Sequence, residues 1–290
     1  MTACAIGKFD ALHRGHFALV ERAATLGQPI VVTFSDMAAV LGWEQRLPIV
    51  ATNDRARILD EWSQQLNTTI RLAEIPFANV RHLSPTDFVT YLREHLGATT
   101  VIVGEDFRFG HHRRGDVDVL QQEMTAHGGT AAIIAPVCHD HETISSSRVR
   151  AALLSGDLDT VSALLGRPHR VIGTVVHGEG RGKKIGFPTA NLGTCLNQTP
   201  AIGVYAAWAI LGNKRIPAAV NIGHLPTISG DRPLTIEAHL IDWKGDCYGQ
   251  VLGLDLIQRV RGEHRFATLD ALVAQIQSDV TQVRSTLAAG

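Results

Sequence analysis

The sequence predicts an α/β domain with a parallel sheet, followed by an antiparallel β-barrel and a closing helix. In the first half, short apolar runs alternate with helical periods, which is typical of parallel strands covered by helices on both faces. In the second half, β-type runs follow one another with only turn residues between them, as in antiparallel barrels. A periodic apolar stripe near the end indicates one long amphipathic helix.

The first half is predicted to alternate strands and helices. Its strand candidates are Thr2–Ile6, Ile30–Phe34, Ile70–Ile75, Thr100–Val103 and Thr130–Ala135. Ser84 is expected to cap a helix that ends at Gly97. Asn53 is expected to cap another helix, in which Trp62 faces inward. Ligands of such sheets bind beyond the carboxyl ends of the strands, and the motifs described below follow strands there.

The second half is predicted to begin near Gly166, which gives two domains, 1–166 and 167–290. Residues 147–165 are assigned to the first domain as two short helices broken at Gly156. The β-type runs are 169–177, 202–211, 215–222, 234–242 and 251–258. The closing helix carries an apolar stripe from Leu269 to Leu287, which we interpret as core packing and not as a cofactor site.

Composition favours a cytoplasmic protein without a nucleic-acid-binding surface. With 27 Lys+Arg against 28 Asp+Glu, the net charge of -1 gives no support for a nucleic-acid-binding surface. The four cysteines form no CxxC pair, so neither a disulfide framework nor a zinc site is expected. We find no signal-peptide pattern and no apolar stretch of the ~18 residues that a membrane span needs. Self-association is left open.

The most informative motif follows the first strand. Residues Gly7 to His16 read Gly-Lys-Phe-Asp-Ala-Leu-His-Arg-Gly-His and open the first predicted helix. Because His13 and His16 are three residues apart, both imidazoles can face one spot beside the positive end of the helix dipole. Gly15 would let a ligand approach the backbone closely. The arrangement suits nucleotidyl transfer, in which imidazoles stabilise charge on an α-phosphoryl group; surface histidines are the alternative.

Two further segments are expected at the same edge of the sheet. The loop Gly104–Gly110 would hold a flat ring, and a solvated loop is the alternative. The residues expected to meet the ring are Asp106, Phe107 and Phe109. A serine-rich helix start would bind phosphates through hydroxyls, N–H groups and a guanidinium, and simple N-capping is the alternative. The residues concerned are Ser146, Ser147 and Arg150.

A glycine-rich run in the second half is a candidate phosphate loop. It is not a Walker A motif, because a barrel and not a helix follows its lysines. Its backbone N–H groups would still surround phosphate, and a flexible surface loop is the alternative. The residues expected to surround phosphate are Gly178, Gly180, Gly182, Lys184 and Gly186, and Pro188, Thr189 and Asn191 follow them. The oxygens of Thr189 and Asn191 lie on one side of an extended chain and suit Mg²⁺, although hydrogen-bonded turn residues would look the same.

Glu237 lies in the otherwise apolar run Leu234–Leu240. A carboxylate among apolar residues costs stability unless it is paired or functional. We interpret Glu237 as the general base for a substrate hydroxyl, and an outward-facing strand residue is the alternative.

These motifs resemble those of a known family. The histidine–x–glycine–histidine and serine-rich segments resemble nucleotidylyltransferases, and Asp-Phe-Arg-Phe-Gly at 106–110 narrows the resemblance to the adenylyltransferase half of bacterial bifunctional riboflavin kinase/FAD synthetases. The second-half motifs resemble the riboflavin kinase half of that family, in the same order. These motifs are Pro188–Asn191, Asn221–Gly223 with Pro226 and Thr227, Glu237–Leu240 and Arg261–Glu263.

The resemblance implies a Rossmann-like nucleotidylyltransferase domain followed by a riboflavin kinase barrel. It implies that riboflavin and ATP give FMN, and that FMN and a second ATP give FAD, with Mg²⁺ at Thr189 and Asn191. It also implies roles for individual residues. His13 and His16 would stabilise adenylyl transfer, and Gly7, Phe9, Asp10 and Gly15 would form the ATP loop of the first half. In the second half, the glycine-rich run and the Pro188–Asn191 segment would bind ATP, Glu237 would be the kinase base, and Arg261 and Glu263 would bind riboflavin.

Two other interpretations remain at this point. Lys8, Ala11 and Arg14 depart from the family's usual first motif. The chain is therefore also read as a riboflavin kinase whose first domain only binds ligand. A different nucleotidylyltransferase fused to an unrelated barrel is the third interpretation, and Glu237 with the Pro188–Asn191 segment argues against it.

Overall fold

A computed structural model describes residues 1–224 and 234–289 of the chain. It divides into two compact units, of which the first comprises Met1–Arg46 and Asn53–Ser146, and the second comprises Leu47–Thr52 and Ser147–Gly290. The domain limits expected from the sequence stay a prediction. Pro226 and Thr227 lie outside the described residues. Among the helices of the described residues, none has both the length and the apolar character to cross a membrane.

A parallel sheet forms the centre of the first unit, in the order β3-β2-β1-β4-β5. Its strands are β1 Thr2–Ile6, β2 Gln28–Ser35, β3 Arg71–Pro76, β4 Ala98–Gly104 and β5 Thr130–Ile134. The two-residue strands β6 Cys138–His139 and β7 Glu142–Thr143 form a separate hairpin. Because β2 and β3 lie on one side of β1 while β4 and β5 lie on the other, the order reverses between β1 and β4. Ligand crevices form at such a reversal.

Helices connect the strands of this sheet. They are α1 Arg14–Leu26, α2 Met37–Leu41, α3 Arg55–Gln65, α4 Phe77–Val80, α5 Pro85–Leu96 and α6 Val117–Ala126. The capping expected at the start of α5 is confirmed, since Ser84 Oγ accepts the Asp87 N–H at 3.1 Å and Gly97 ends the helix with φ 65°. The cap expected at Asn53 is wrong. A 3₁₀ turn over Thr52–Asp54 precedes α3 and moves its start to Arg55.

The second unit contains a closed antiparallel barrel in the order β10-β11-β12-β9-β8-β13. Its strands are β8 His169–Val176, β9 Ala190–Leu192, β10 Gly203–Leu211, β11 Lys214–His224, β12 Leu234–Leu240 and β13 Val251–Arg261. Its helices are α7 Ser146–Ser155, which begins at the last residue of the first unit, α8 Leu158–Leu165, α9 Arg181–Lys184 and α10 Leu269–Ala288. The predicted fold class is therefore confirmed. The sequence prediction did not include the three-residue strand β9.

The closing helix α10 packs on the outside of the barrel. Val283 and Leu287 form a buried cluster with Ala206 of β10 and Ile241. Leu269, at the start of the predicted stripe, is 61 % exposed, so the core contact is confined to the later turns. Ala206 and Ala219 are cross-strand neighbours that pack toward α10, on the outside of the barrel. Because side chains alternate along a strand, Val220 of β11 and its neighbour Ala238 of β12 face the barrel interior.

Asn197 links three backbone segments of the second unit. Its side chain is fully buried and donates to the carbonyls of Ile49 and Arg170, at 3.0 and 2.8 Å. Its Oδ1 accepts the Ile172 N–H at 3.2 Å. The amide thus joins the 47–52 segment to the start of β8.

We expect Asn197→Ala to destabilise the second unit by about 3 kcal/mol, because three hydrogen bonds are lost in a buried place. Asn53→Ala serves as the control, since Asn53 is exposed and does not cap α3. The measurement is the free energy of unfolding in urea, followed by far-UV circular dichroism. Equal values for the two variants would contradict the role of Asn197.

Candidate active sites

Two histidines meet at the start of α1, beyond the carboxyl end of β1. The rings of His13 and His16 are stacked with centroids 3.7 Å apart and 10° between their planes. His13 is the N-cap residue, and its Nδ1 accepts the backbone N–H of His16 at 3.2 Å. An Nδ1 that accepts a hydrogen bond carries no proton, so the neutral ring of His13 bears its proton on Nε2. The sequence prediction that both imidazoles share one spot is confirmed.

The loop that leads into α1 is held in an unusual backbone conformation. Phe9 and Leu12 have φ of 48° and 46°, and both side chains are almost fully buried. Non-glycine residues in this region cost about 1–3 kcal/mol each, which burial of the two side chains offsets. The ring of Phe9 also contacts the ring of His16, with centroids 4.7 Å apart. The Thr33 hydroxyl donates to the Lys8 carbonyl and ties the loop to β2.

Gly15 packs closely against the ring of His13. A Cβ at Gly15 would lie 3.1 Å from two atoms of the His13 ring and 3.7 Å from the Ile144 carbonyl oxygen. The sequence analysis explained this glycine by close approach of a ligand. The structure adds a simpler cause, which is that a side chain there would displace the imidazole.

The structure brings the segment after β4 to the same edge of the sheet. Asp106 is exposed and Phe107 is half-buried, whereas Phe109 is 5 % exposed and packs against Phe88. Phe107 and Phe109 lie in parallel planes with centroids 5.6 Å apart. Phe109 also pairs with Gly115, where a Cβ would collide with its ring. Phe109 therefore supports the loop from within the core, and Asp106 and Phe107 present its accessible side.

The serine-rich segment begins in the first unit and continues into the second. Ile144, just before it, lies next to Gly15, and Ser146 is half-buried at the start of α7. Ser147 and Arg150 belong to the second unit, where the Arg150 Nη1 donates to Gln198 Oε1 at 2.8 Å.

A row of polar residues crosses the outer face of the barrel. Asn191 of β9 and Asn221 of β11 both lie directly opposite Glu237 of β12. The Thr189 hydroxyl donates to Glu237 Oε2 at 3.3 Å, and Asn191 Nδ2 donates to the Thr189 carbonyl at 3.4 Å. Burial alternates along β12, with Ile236 facing the interior and Glu237 facing outward. The premise of an apolar environment for Glu237 is thus wrong, although its expected proximity to Thr189 and Asn191 is seen.

The glycine-rich run borders this row. A Cβ at Gly178 would collide with the Asn191 amide, and one at Gly182 would collide with the Phe187 carbonyl. Gly180 and Gly186 have φ of 67° and 87°, which disfavours other residues at both positions. Lys184 is exposed at the end of α9, and the carbonyl of Pro188 accepts His239 Nδ1–H at 2.8 Å.

Arg261 and Glu263 follow the end of β13. Arg261 pairs with Asp279 of α10 through contacts of 2.7 and 3.0 Å. A Cβ at Gly223 would collide with Glu263 Oε1 and lie 3.5 Å from Asn221 Nδ2, so the Glu263 carboxylate rests against β11 beside the polar row. Asn221 and Asp279 were not among the site residues predicted from the sequence. Asn221 belongs to a motif that carries the family resemblance, whereas Asp279 stood in a helix interpreted as packing.

Comparison with known proteins agrees with this two-part organisation. The FAD synthetase family model matches residues 1–148, and the riboflavin kinase family model matches residues 165–287. A bifunctional riboflavin kinase/FMN adenylyltransferase of Pseudomonas fluorescens is 36% identical over 289 residues, which cover 98% of this chain and 92% of the relative. The protein of that name from Escherichia coli (strain K12) is 36% identical over 288 residues, 96% of this chain and 90% of the relative. A crystal structure titled macrolide-efflux protein, from Streptococcus pneumoniae, has a TM-score of 0.85 and 26% identity, with coverage of 98% and 93%.

We expect Gly15→Ala to move the His13 ring, because the added methyl group lies 3.1 Å from it. Long-range ¹H–¹⁵N spectra of the imidazoles should show His13 protonated on Nε2 in the unmodified protein and shifted ring signals in the variant. Gly262→Ala is the control, since its backbone lies outside the left-handed region and the nearest atom to a Cβ there is 3.7 Å away. Unchanged His13 signals in Gly15→Ala would refute the packing argument.

Proposed function

The chain belongs to the family of bifunctional riboflavin kinase/FMN adenylyltransferases, and from that premise we propose that it makes FMN and then FAD. The kinase step transfers the γ-phosphoryl group of ATP to the 5′-hydroxyl of riboflavin and releases ADP. The second step transfers the adenylyl group of another ATP to FMN and releases pyrophosphate. The observation that carries this proposal is the coexistence of a paired-histidine helix start and a Thr–Asn–Glu row within one chain.

In the proposed adenylyl transfer, a phosphate oxygen of FMN attacks the α-phosphorus of ATP. The bond to the α–β bridging oxygen breaks, and pyrophosphate leaves. Negative charge grows on the α-phosphoryl oxygens, and His13 and His16 donate hydrogen bonds to them. The backbone N–H of His16 donates to Nδ1 of His13, which leaves the proton of the His13 ring on Nε2. Nε2–H of His13 is therefore available to donate to the phosphoryl oxygen. Gly7, Phe9, Asp10 and Gly15 shape the loop that receives the triphosphate.

Other residues of the first unit are proposed to complete this site. Ser146 binds a phosphate group, and Asp106 and Phe107 meet the planar ring. Ser147 and Arg150 lie in the second unit, and their assignment to the phosphates stays a prediction from the sequence. Phe109 contributes by supporting Phe107, because it is itself packed in the core.

In the proposed kinase step, Glu237 accepts the proton of the riboflavin 5′-hydroxyl while its oxygen attacks the γ-phosphorus. The bond to the β–γ bridging oxygen breaks, and ADP leaves. Thr189 donates to Glu237 at 3.3 Å and fixes the orientation of the carboxylate. Glycines 178, 180, 182 and 186 bring backbone N–H groups to the phosphates, and Lys184 adds a cation. Pro188 fixes the turn, and Glu263 accepts hydrogen bonds from riboflavin.

Oxygen donors in this row fit a hard divalent cation. Thr189 and Asn191 supply a hydroxyl and an amide oxygen, and Mg²⁺ commonly takes few protein ligands together with phosphate oxygens. When bound, Mg²⁺ would neutralise charge on the transferred phosphoryl group. We propose that Thr189 and Asn191 hold it and that the adjacent Glu237 accepts the proton.

The other two interpretations find no support. The FAD synthetase match over 1–148 and the stacked histidines favour an active first half over a binding module. The riboflavin kinase match over 165–287 excludes a barrel unrelated to that family.

Incubation of pure protein with riboflavin, ATP and Mg²⁺, followed by chromatography of the flavins, tests the proposal. FMN should appear first and be converted to FAD. FMN without FAD would contradict the role of the first half, and the absence of any phosphorylated flavin would contradict both halves.

Glu237→Gln should abolish FMN formation, because the amide cannot accept the hydroxyl proton. Adenylylation of added FMN should continue at its normal rate, which serves as the internal control for folding of the first half. Turnover of riboflavin is the measurement. Unchanged turnover would remove Glu237 from the mechanism.

His16→Ala should lower FAD formation from FMN by roughly 10²-fold, as for the loss of one donor to a developing oxyanion. His95→Ala is the matched control, since His95 is an exposed histidine of the same unit. Initial rates of pyrophosphate release give the measurement. Equal rates for the two variants would contradict the histidine assignment, provided that FMN formation is normal in both.

A further inference from the structure

Arg261 is engaged on every nitrogen of its guanidinium group. Nε donates to both carboxylate oxygens of Asp279 at 3.0 Å, and Nη2 donates to Oδ2 at 2.7 Å. Nη1 donates to the Gly262 carbonyl at 3.0 Å. The guanidinium also lies 5.8 Å from the centre of the Phe266 ring, within the range of a cation–π contact. These contacts leave the group fixed in orientation.

Asp279 is itself built into the molecule. Its side chain is 5 % exposed, it lies on α10, and its Oδ1 also accepts Gln275 Nε2 at 2.8 Å. The carboxylate of Asp279 therefore accepts hydrogen bonds from the Arg261 guanidinium and from the Gln275 amide. A buried carboxylate with these bonds is held in one orientation. The pair therefore joins the long closing helix to the end of β13.

The segment that Arg261 holds carries Glu263 to the kinase site. Residues 262–266 have no helix or strand of their own, and Arg261 contacts Gly262 and Phe266 within this segment. Glu263 rests against Gly223, next to Asn221, which is the cross-strand neighbour of Glu237. A continuous set of contacts thus runs from Asp279 through Arg261 to the edge of the polar row.

We propose that Arg261 is a positioning residue and not a riboflavin ligand. Held by Asp279, whose carboxylate also accepts a hydrogen bond from Gln275, Arg261 fixes the 262–266 segment so that Glu263 meets the donor groups of riboflavin. This inference rests on the proposed kinase activity and adds Asp279 and Gln275 to the residues on which riboflavin binding depends. It predicts that changes on α10, away from the reacting atoms, weaken the binding of riboflavin while phosphoryl transfer continues.

The experiment compares Asp279→Asn, Arg261→Lys and the double variant in the full-length protein. Asp279→Asn removes the negative charge of the pair. Arg261→Lys keeps the positive charge but cannot form the bidentate contact with both carboxylate oxygens. Each single variant should raise the KM for riboflavin by about 10-fold with kcat within about 2-fold, and the double variant should be no worse than either. Adenylylation of added FMN should stay normal in all three.

Asp242→Asn is the matched control. It breaks another arginine–aspartate pair of α10, the exposed contact of Arg284 with Asp242 at 2.6 Å. Both kinetic constants for riboflavin should be unchanged in this variant. Gln275→Leu gives a second test that keeps both charges, and because it removes one hydrogen bond to Asp279 it should raise the KM by about 3-fold.

Several results would overturn the inference. If Arg261 contacted riboflavin directly, Arg261→Lys would raise the KM while Asp279→Asn and Gln275→Leu left it unchanged. Additive effects in the double variant, or equal effects in the Asp242 control, would also overturn it. If the unmodified protein formed no FMN from riboflavin and ATP, the proposed kinase activity would be refuted. The positioning role of Arg261 would then be refuted as well, because it rests on that activity.

Discussion

Negative charge on a phosphate must be met by donors that are already in place, and both candidate sites depend on this constraint. Flexible cations could neutralise the charge, but they would lose conformational freedom on binding. In this chain the residues proposed for this role are held in place by the backbone instead. His13 is the N-cap of α1, and its ring stacks on that of His16. Thr189 lies just before strand β9 and Asn191 lies within it, and β9 pairs with β12. The fold places these groups before any ligand arrives.

The two units reach this result by different architectures. In the first, the strand order reverses between β1 and β4, where ligands bind in such sheets, and the loops after these strands carry the histidines and the Asp106–Phe109 segment. In the second, the polar row lies on the outer face of a closed barrel whose interior is filled with side chains. Antiparallel pairing sets this row, because Asn191, Glu237 and Asn221 are opposite one another in register. The glycine-rich run 178–186 can lie close to this row because a side chain at Gly178 would collide with Asn191.

The sequence predicted the elements and motifs well, because periodicity and strand-end motifs are local signals. Strand β1 has the predicted bounds, and the Ser84 cap and the barrel are confirmed. One error is local: Asn53 has the chemistry of a cap, yet the helix begins later, and Asp54 pairs with Arg57, three residues along, at 2.6 Å. The other differences arose where a distant contact decides the outcome. The polar environment of Glu237 and the partner of Arg261 depend on strand register and on a helix far along the chain.

The account requires two separate sites for ATP in one chain, each prepared by its own unit. Calorimetric titration with a non-hydrolysable ATP analogue and Mg²⁺ measures this directly, without dependence on turnover. The account predicts two equivalents of analogue bound per chain. One equivalent would contradict it, since a single site would have to serve both reactions.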